Sequence, residues 1–295
     1  MDLGDLRSLI CFPPTPVFVT LTTDFGTRDG YVAAMKGVML RAAPSVQFID
    51  VTHQVPAQDV MAAAFILRQF VPYAPAGSVH LAVVDPGVGT DRRAIAADVD
   101  VGGEVHRFVG PDNGLLALVA GHDDVHAAVE LDREERWRTG APSSTFHGRD
   151  IFGPVAAQLA TGLPLREVGT PVSDLATLHW PLPHADREGI RGMVLHIDRF
   201  GNCLTNITAA DIDRARCGRA FKAYAGSAVV TAYHPTYGHV AMGAPVMVFG
   251  SSAHLEIAVR GGHAASLLSV ERGDPVTLVF ETRRTPRVAK AASLA

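Results

Sequence analysis

The sequence predicts an α/β domain with a mostly parallel central sheet, followed by a smaller all-β, barrel-like domain. Three observations carry this reading. Apolar strand-like runs alternate with helix-spaced segments through the first half. A stretch bearing Pro171, Pro181 and Pro183, without sustained periodicity, then interrupts the pattern. Beyond it come short apolar runs separated by Gly and polar turns, as in a small barrel or sandwich. The expected boundaries are 17–170 for the α/β domain, 171–189 for a linker and 190–282 for the β domain.

Each element has a local reason. Met1–Pro16 reads as a loose leader, because Pro13, Pro14 and Pro16 block regular structure. Val17–Leu21 is a β-rich apolar run ending at Thr22-Thr23-Asp24-Phe25-Gly26. Tyr31–Leu40 has helical spacing and stops before Pro44, Gln47–Val51 reads as a strand, and Asp59–Phe70 as a helix. Val79–Val84 is an apolar run interrupted only by His80, the mark of a strand buried on both faces. Ala94–Val99 and Val105–Val109 read as strands joined at Gly102-Gly103. Leu115–Ala120 follows as a short helix, Ala127–Leu131 as a strand and Ile151–Ala160 as a helix. The β domain is expected to use Gly192–Ile197, Leu204–Ile207, Phe221–Tyr224, Val229–Ala232, Val246–Phe249, Leu255–Val259 and Val276–Phe280. The tail from Arg283 is basic and reads as loose.

Composition excludes several function classes. With 47% apolar and 19% charged residues, the chain is a folding one rather than a disordered one. A formal net charge of -4 predicts no electrostatic affinity for nucleic acid or an anionic membrane. Cys11, Cys203 and Cys217 are odd in number and lack CxxC spacing, so neither a disulfide framework nor a thiolate zinc site is expected. There are 13 histidines but no HExxH arrangement, so no metal site is expected. No apolar run reaches about 18 residues, and the first residues lack a signal-peptide pattern. A cytoplasmic location is the expectation.

Ligands of open α/β sheets bind beyond the carboxyl ends of the strands. Asp24 and Asp85 both follow predicted strands, so they are expected on one rim. Asp24 has two readings: a cap on a turn or helix, or a carboxylate accepting two hydrogen bonds from a ribose diol. Asp85-Pro-Gly-Val-Gly-Thr-Asp-Arg92-Arg93 is not a phosphate loop, since it completes neither Gly-Lys-Ser/Thr nor GxGxxG. A strand-end turn accounts for its glycines. His147 in Phe146-His147-Gly148-Arg149-Asp150 is by itself an ordinary structural hydrogen-bonder, and Arg149 and Asp150 suit a helix start. His53, His80, His106 and His196 lie in or beside strand-like runs and read as structural. No GxSxG elbow is present.

Taken together, TTDFGTRDGYVAAMKG, DVTHQVPAQDV, VVDPGVGTDRR, GPDNGLL, FHGRDIFGPVAA and IDRFGNCLTNI resemble the S-adenosyl-L-methionine (SAM) hydrolases. These are also called SAM hydroxide adenosyltransferases and are related to SAM-dependent fluorinases and chlorinases. The resemblance runs from about Val17 to Phe280. It implies a homotrimer with SAM held between one subunit's first domain and a neighbour's second, and no cofactor beyond SAM as substrate. It assigns Asp85, Arg92 and His147 to a catalytic set that positions and polarises water, with the flanking Phe146 and Gly148 implied to bind the substrate. Asp24 is implied to hold the ribose hydroxyls and Asp29 to lie near the methionine end. In the second domain Asp198 is implied to meet the methionine ammonium, Phe200 to pack near the nucleoside, and Asn202 to bond adenine. Tyr237 is implied to stack on adenine. Ser251, Ser252 and Arg260 are implied near the methionine carboxylate and adenine, with backbone at the Gly262–Ala264 turn reading the base edge.

The expected reaction is in-line attack of water on ribose C5′, giving adenosine and L-methionine. The related halogenases bind a halide instead. A carboxylate about 4 Å from a halide costs roughly 4 kcal/mol at an effective dielectric of 20, about a thousandfold in binding. Asp85 therefore suits water. Three rivals remain at the sequence level: a halogenase making 5′-halo-5′-deoxyadenosine, a SAM or adenosine sensor with little turnover, and a purely structural trimer with no adenosine-site ligand.

Overall fold

Strand and helix alternate through β1 (Val17–Thr23), α1 (Tyr31–Ala42), β2 (Val46–Thr52), α2 (Val60–Phe70) and β3 (Val79–Val83). The Asp59 side chain caps α2 by accepting the Ala62 N–H at 2.9 Å. The alternation then stops, and β4 (Ala94–Val101) turns directly into β5 (Glu104–Pro111). There follow α3 (Leu115–Ala120), β6 (Val125–Glu130), a π turn over Gly148–Phe152 continuing as α4 (Gly153–Ala160), and β7 (Thr170–Pro171). The computed structural model describes residues 17–121 and 124–281. The proposed leader, its Cys11 and the basic tail lie outside the described residues. Two units divide between Trp180 and Pro181.

The first unit's sheet has the order β2-β1-β3-β5-β4-β6-β7. The β1–β2, β1–β3 and β3–β5 pairs are parallel, whereas β4–β5, β4–β6 and β6–β7 are antiparallel. The sheet is thus mixed rather than mostly parallel. The cause is local: Gly102 and Gly103 have φ of +67° and +89°, the conformation of a two-residue hairpin turn that reverses the chain. On the parallel side β3 is buried on both faces. Val79, Leu81 and Val83 join a core with Met35 and Met39 of α1 and Val155 of α4, while Ala82 joins one with Leu67 of α2 and Leu116 of α3. That period of two sends alternate side chains to opposite helical layers. Residues 171–180 pack on the second of these cores through Val172, Leu175 and Trp180, whose indole donates to the Leu118 carbonyl at 2.9 Å.

The structural histidines satisfy one another. His80 Nδ1 meets the Thr20 hydroxyl at 2.8 Å and its Nε2 meets His106 Nδ1 at 3.1 Å. Burial pushes the His80 pKa down to about 3, with the neighbouring His106 adding to the fall.

The second unit contains β8 (His184–Ala185), β9 (Gly189–Ile197), β10 (Cys203–Thr208), α5 (Ala209–Arg216), β11 (Phe221–Ala225), β12 (Ala228–Val230), β13 (Pro245–Phe249), β14 (His254–Val259), α6 (Ala264–Leu268) and β15 (Pro275–Phe280). Its antiparallel order is β12-β11-β15-β9-β10-β14-β13, with β8 on β9. A bridge from Tyr233 to Met247 in β13 brings the segment after β12 back to the far edge, so the barrel nearly closes. Two short helices depart from the all-β expectation. Thr208 and Asp211 form a reciprocal capping box that starts α5 within a charged, weakly apolar stretch. Among the described residues no helix is long and apolar enough to cross a membrane.

Candidate active site

Two loops at the carboxyl ends of the parallel strands build the site in the first unit. The loop after β3 carries Asp85 and Arg92, and the loop before the π turn carries His147. Arg92 Nε donates to Asp85 Oδ1 and Oδ2 at 2.9 and 3.0 Å, and its Nη2 also donates to Oδ2. Both side chains are largely buried, 11% and 5% exposed. Nη2 further donates to His147 Nδ1 at 2.9 Å, and the guanidinium lies 5.1 Å over the Phe152 ring. The three members implied by the resemblance thus form one hydrogen-bonded chain, although 55 residues separate Arg92 from His147.

Elementary hydrogen-bond accounting fixes the imidazole. A guanidinium has donors only, so Nδ1 accepts and neutral His147 carries its proton on Nε2. Burial, then the neighbouring Arg92 cation, hold the His147 pKa below its ordinary value. Protonation would place an N–H on Nδ1 opposite the Arg92 N–H. Turnover that uses neutral His147 is therefore expected to stay level as pH falls through about 6.5 and to decline only below it. A kcat–pH profile with its acid limb at or above the free-imidazole value contradicts this assignment.

Asp150, read from sequence as a helix-start residue, has a larger role. It is fully buried, and its carboxylate accepts from Arg149 at 2.7 and 2.8 Å, Arg138 at 2.5 Å and the Ser143 N–H at 2.9 Å. These bonds, led by Arg149, hold its carboxyl far below the usual range despite burial. The network ties 138–143 to 149–150 and so fixes the loop carrying His147. Phe146 packs edge-on to Phe25 and Tyr31, at centroid distances of 5.8 and 5.4 Å. Gly148 is buried, and a Cβ there would lie 3.3 Å from the Phe25 ring. Asp24 sits beside Phe25, half-buried, and its Oδ2 accepts the Gln58 N–H at 2.8 Å. Asp29 is exposed in the turn before α1.

In the second unit Asp198 and Asn202 come together. Asp198 Oδ1 accepts the Phe200 and Asn202 N–H groups at 2.9 and 2.8 Å, and Oδ2 accepts Asn202 Nδ2 at 2.9 Å. Phe200 is 74% exposed at the tip of this turn. Tyr237 donates its hydroxyl to Glu256 at 2.5 Å, and Arg260 donates to the Gly238 and Val240 carbonyls at 3.2 and 2.7 Å. Ser251 is exposed, whereas the Ser252 hydroxyl is buried with no partner among the described residues. Ala264 is buried at the start of α6, and the next N–H, of Ala265, donates to the Gly201 carbonyl at 2.9 Å. Glu256 was passed over in the sequence. Burial raises its pKa, nearby Asp198 adds to the rise, and the Tyr237 hydrogen bond opposes it. The available signal was a lone acid within the apolar run Leu255–Val259.

Comparison with known proteins agrees with this architecture. The SAM hydroxide adenosyltransferase N-terminal domain matches residues 19–169, and the corresponding C-terminal domain matches 192–277. A protein of Salinispora tropica named (R)-S-adenosyl-L-methionine hydrolase is 46% identical over 264 residues, covering 88% of this chain and 97% of its own. A protein of the same name from Thermus thermophilus is 42% identical, covering 88% and 99%. A fluorinase from an Actinoplanes species is more distant, 28% identical over 68% of this chain and 74% of its own. The crystal structure of an uncharacterized conserved protein from Thermotoga maritima superimposes with a TM-score of 0.81, at 35% identity over 88% of this chain and 99% of that one. With both domain matches in order and these identities over nearly nine-tenths of its length, the chain belongs to the SAM hydroxide adenosyltransferase family.

Proposed function

We propose that the protein hydrolyses SAM to adenosine and L-methionine. The observation that carries this is the Asp85–Arg92–His147 chain, whose groups suit a water nucleophile. A water there accepts one hydrogen bond from His147 Nε2–H and donates one to Asp85, which leaves a lone pair for C5′. As the O–C5′ bond forms, the C5′–S bond breaks and its electron pair neutralises the sulfonium. Methionine leaves as a neutral thioether and needs no general acid. The proton lost from oxygen passes to Asp85 or solvent during or after C–O bond formation. The equation balances with SAM and water alone, in keeping with the resemblance, which implies no cofactor beyond SAM as substrate. Holding water and C5′ at near-attack distance supplies much of the acceleration.

The remaining roles belong to the same proposal. Asp24 binds the ribose hydroxyls, and Asp29 lies toward the methionine end. In the second unit Asp198 has three of a carboxylate's roughly four acceptor directions taken, which leaves one for an ammonium. Asn202, with one amide hydrogen committed to Asp198, retains a carbonyl and a second N–H for adenine. Tyr237, Phe200, Ser251, Ser252, Arg260 and the backbone near Ala264 complete the substrate contacts. The resemblance supports a homotrimer with sites between subunits, which a solution mass of three chains tests.

One assay tests the reaction. SAM, supplied as separate (R) and (S) sulfonium epimers because the relatives are named for the (R) form, is incubated in heavy-oxygen water with chloride. The expected product is adenosine labelled at its 5′ oxygen. A 5′-chloro product favours the halogenase reading, and tight binding without turnover favours a sensor.

A further inference from the structure

The segment Thr52–Asp59 lies within DVTHQVPAQDV, one of the motifs that carry the family resemblance, yet none of its residues enters the proposed chemistry. Its hydrogen bonds show where it acts. The Thr23 hydroxyl meets His53 Nδ1 at 2.8 Å, and the Gly26 N–H donates to the His53 carbonyl at 2.7 Å. The Val55 N–H donates to the Thr23 carbonyl at 3.4 Å, and the Gln58 N–H donates to Asp24 Oδ2 at 2.8 Å. The segment therefore grips the loop carrying Asp24 from both sides. Gln58 has a φ of +63°, a left-handed conformation rare for a side-chain-bearing residue. Such backbone persists where its surroundings hold it in place.

His53 is the buried anchor of this grip, with 6% exposure. Its Nε2 meets Asp50 Oδ1 at 3.0 Å, and Lys36 Nζ donates to Asp50 Oδ2 at 2.6 Å. An ionised carboxylate only accepts, so Nε2 carries a proton. In neutral His53, Nδ1 then accepts from the Thr23 hydroxyl, whose oxygen in turn accepts the Phe25 N–H at 3.3 Å. The Thr–His–Asp order resembles a nucleophilic triad, but Thr23 is fully buried and its oxygen is engaged. The arrangement suits positioning instead.

We propose that His53, braced by Asp50 and Lys36, is a positioning residue that fixes the Thr23–Gly26 turn so that Asp24 presents its carboxylate to a ribose diol. This rests on the reading of Asp24 given above. With one oxygen held by the Gln58 N–H, the carboxylate meets the diol without first losing rotational freedom.

The test measures calorimetric affinity of the full chain for adenosine and for 2′,3′-dideoxyadenosine, beside thermal melts. In Thr23→Val and His53→Ala, adenosine affinity is expected to fall about tenfold, the scale of a lost buried hydrogen bond. Affinity for the dideoxy compound should stay within about twofold, and Thr23→Ser should restore adenosine binding. Asp50→Ala, at the exposed end of the relay, gives a folded variant in which a smaller loss of the same kind is expected. Equal weakening of both ligands, or of neither, in variants that melt cooperatively overturns the inference. Asp24→Asn separates the two layers. Discrimination lost there but intact in the positioning variants overturns the inference alone, whereas discrimination unchanged there overturns the diol reading and the inference with it.

Discussion

Asp85→Asn is expected to lower kcat for SAM by about a thousandfold, within the range for a lost proton-transfer partner, while the calorimetric Kd of SAM changes by less than about threefold. The geometry separates the two effects. Asp85 faces the water rather than the sugar or the base in the proposed site, so its charge matters mainly as the water loses a proton. Stability should fall as well. Arg92 is nearly buried and spends its fork on Asp85, and breaking a buried pair costs about 3–5 kcal/mol when one charge is left alone. Asparagine keeps one acceptor oxygen, which places the loss at the lower end. The kinetics must therefore be read well below the variant's melting temperature. Turnover within threefold of wild type in a cooperatively folded variant sinks the assignment of Asp85.

How much of this was legible in the sequence varied from element to element. Alternation of apolar runs and helix spacing located β1 through β3, and β3 most plainly, because a strand covered on both faces cannot hide its apolar content. The Gly102-Gly103 pair was visible too. Its two positive-φ glycines make a hairpin, and hairpins are antiparallel, which turns a mostly parallel expectation into a mixed sheet. β7 and β8 span two residues each and leave no periodicity to read. α5 was missed because its signal is a cap, Thr208 with Asp211, rather than an apolar stripe. At the site, the residue types were legible but their meeting was not. Asp85, Arg92 and His147 converge through tertiary contacts that no local pattern encodes, and the family resemblance supplied what spacing could not. Asp150 and Glu256 escaped because burial of a charged residue depends on partners distant in sequence, such as Arg138 and Tyr237. The glycines of Asp85–Arg92 were legible only as a turn, and their reason lies across the site.

Gly89→Ala is expected to damage stability and turnover together. Gly89 has a φ of +76°, and a Cβ built there would stand 2.4 Å from the Ser144 carbonyl oxygen. The obstacle is backbone, so no rotamer change relieves it. Either the loop after β3 or the loop carrying His147 must move by an ångström or so, and these are the two pieces that Arg92 joins. Left-handed backbone at an alanine adds about 1–2 kcal/mol, and the displaced loops weaken the Arg92–His147 hydrogen bond. The combined expectation is a loss of about 3 kcal/mol in unfolding free energy, within the range of overpacking plus backbone strain. A fall of at least about a hundredfold in kcat is expected too, as for a small misplacement of reacting groups. Gly87→Ala is the matched control. Its added Cβ would meet the Arg92 and Thr90 side chains at 3.0 and 3.3 Å, with no positive φ to strain. Because side chains can shift where a carbonyl cannot, its losses should be several-fold smaller on both scales. Urea melts and steady-state kinetics on the pair decide the matter: equal, mild effects at both positions would mean that the close approach of the two loops does not set the geometry of the Asp85–Arg92–His147 chain.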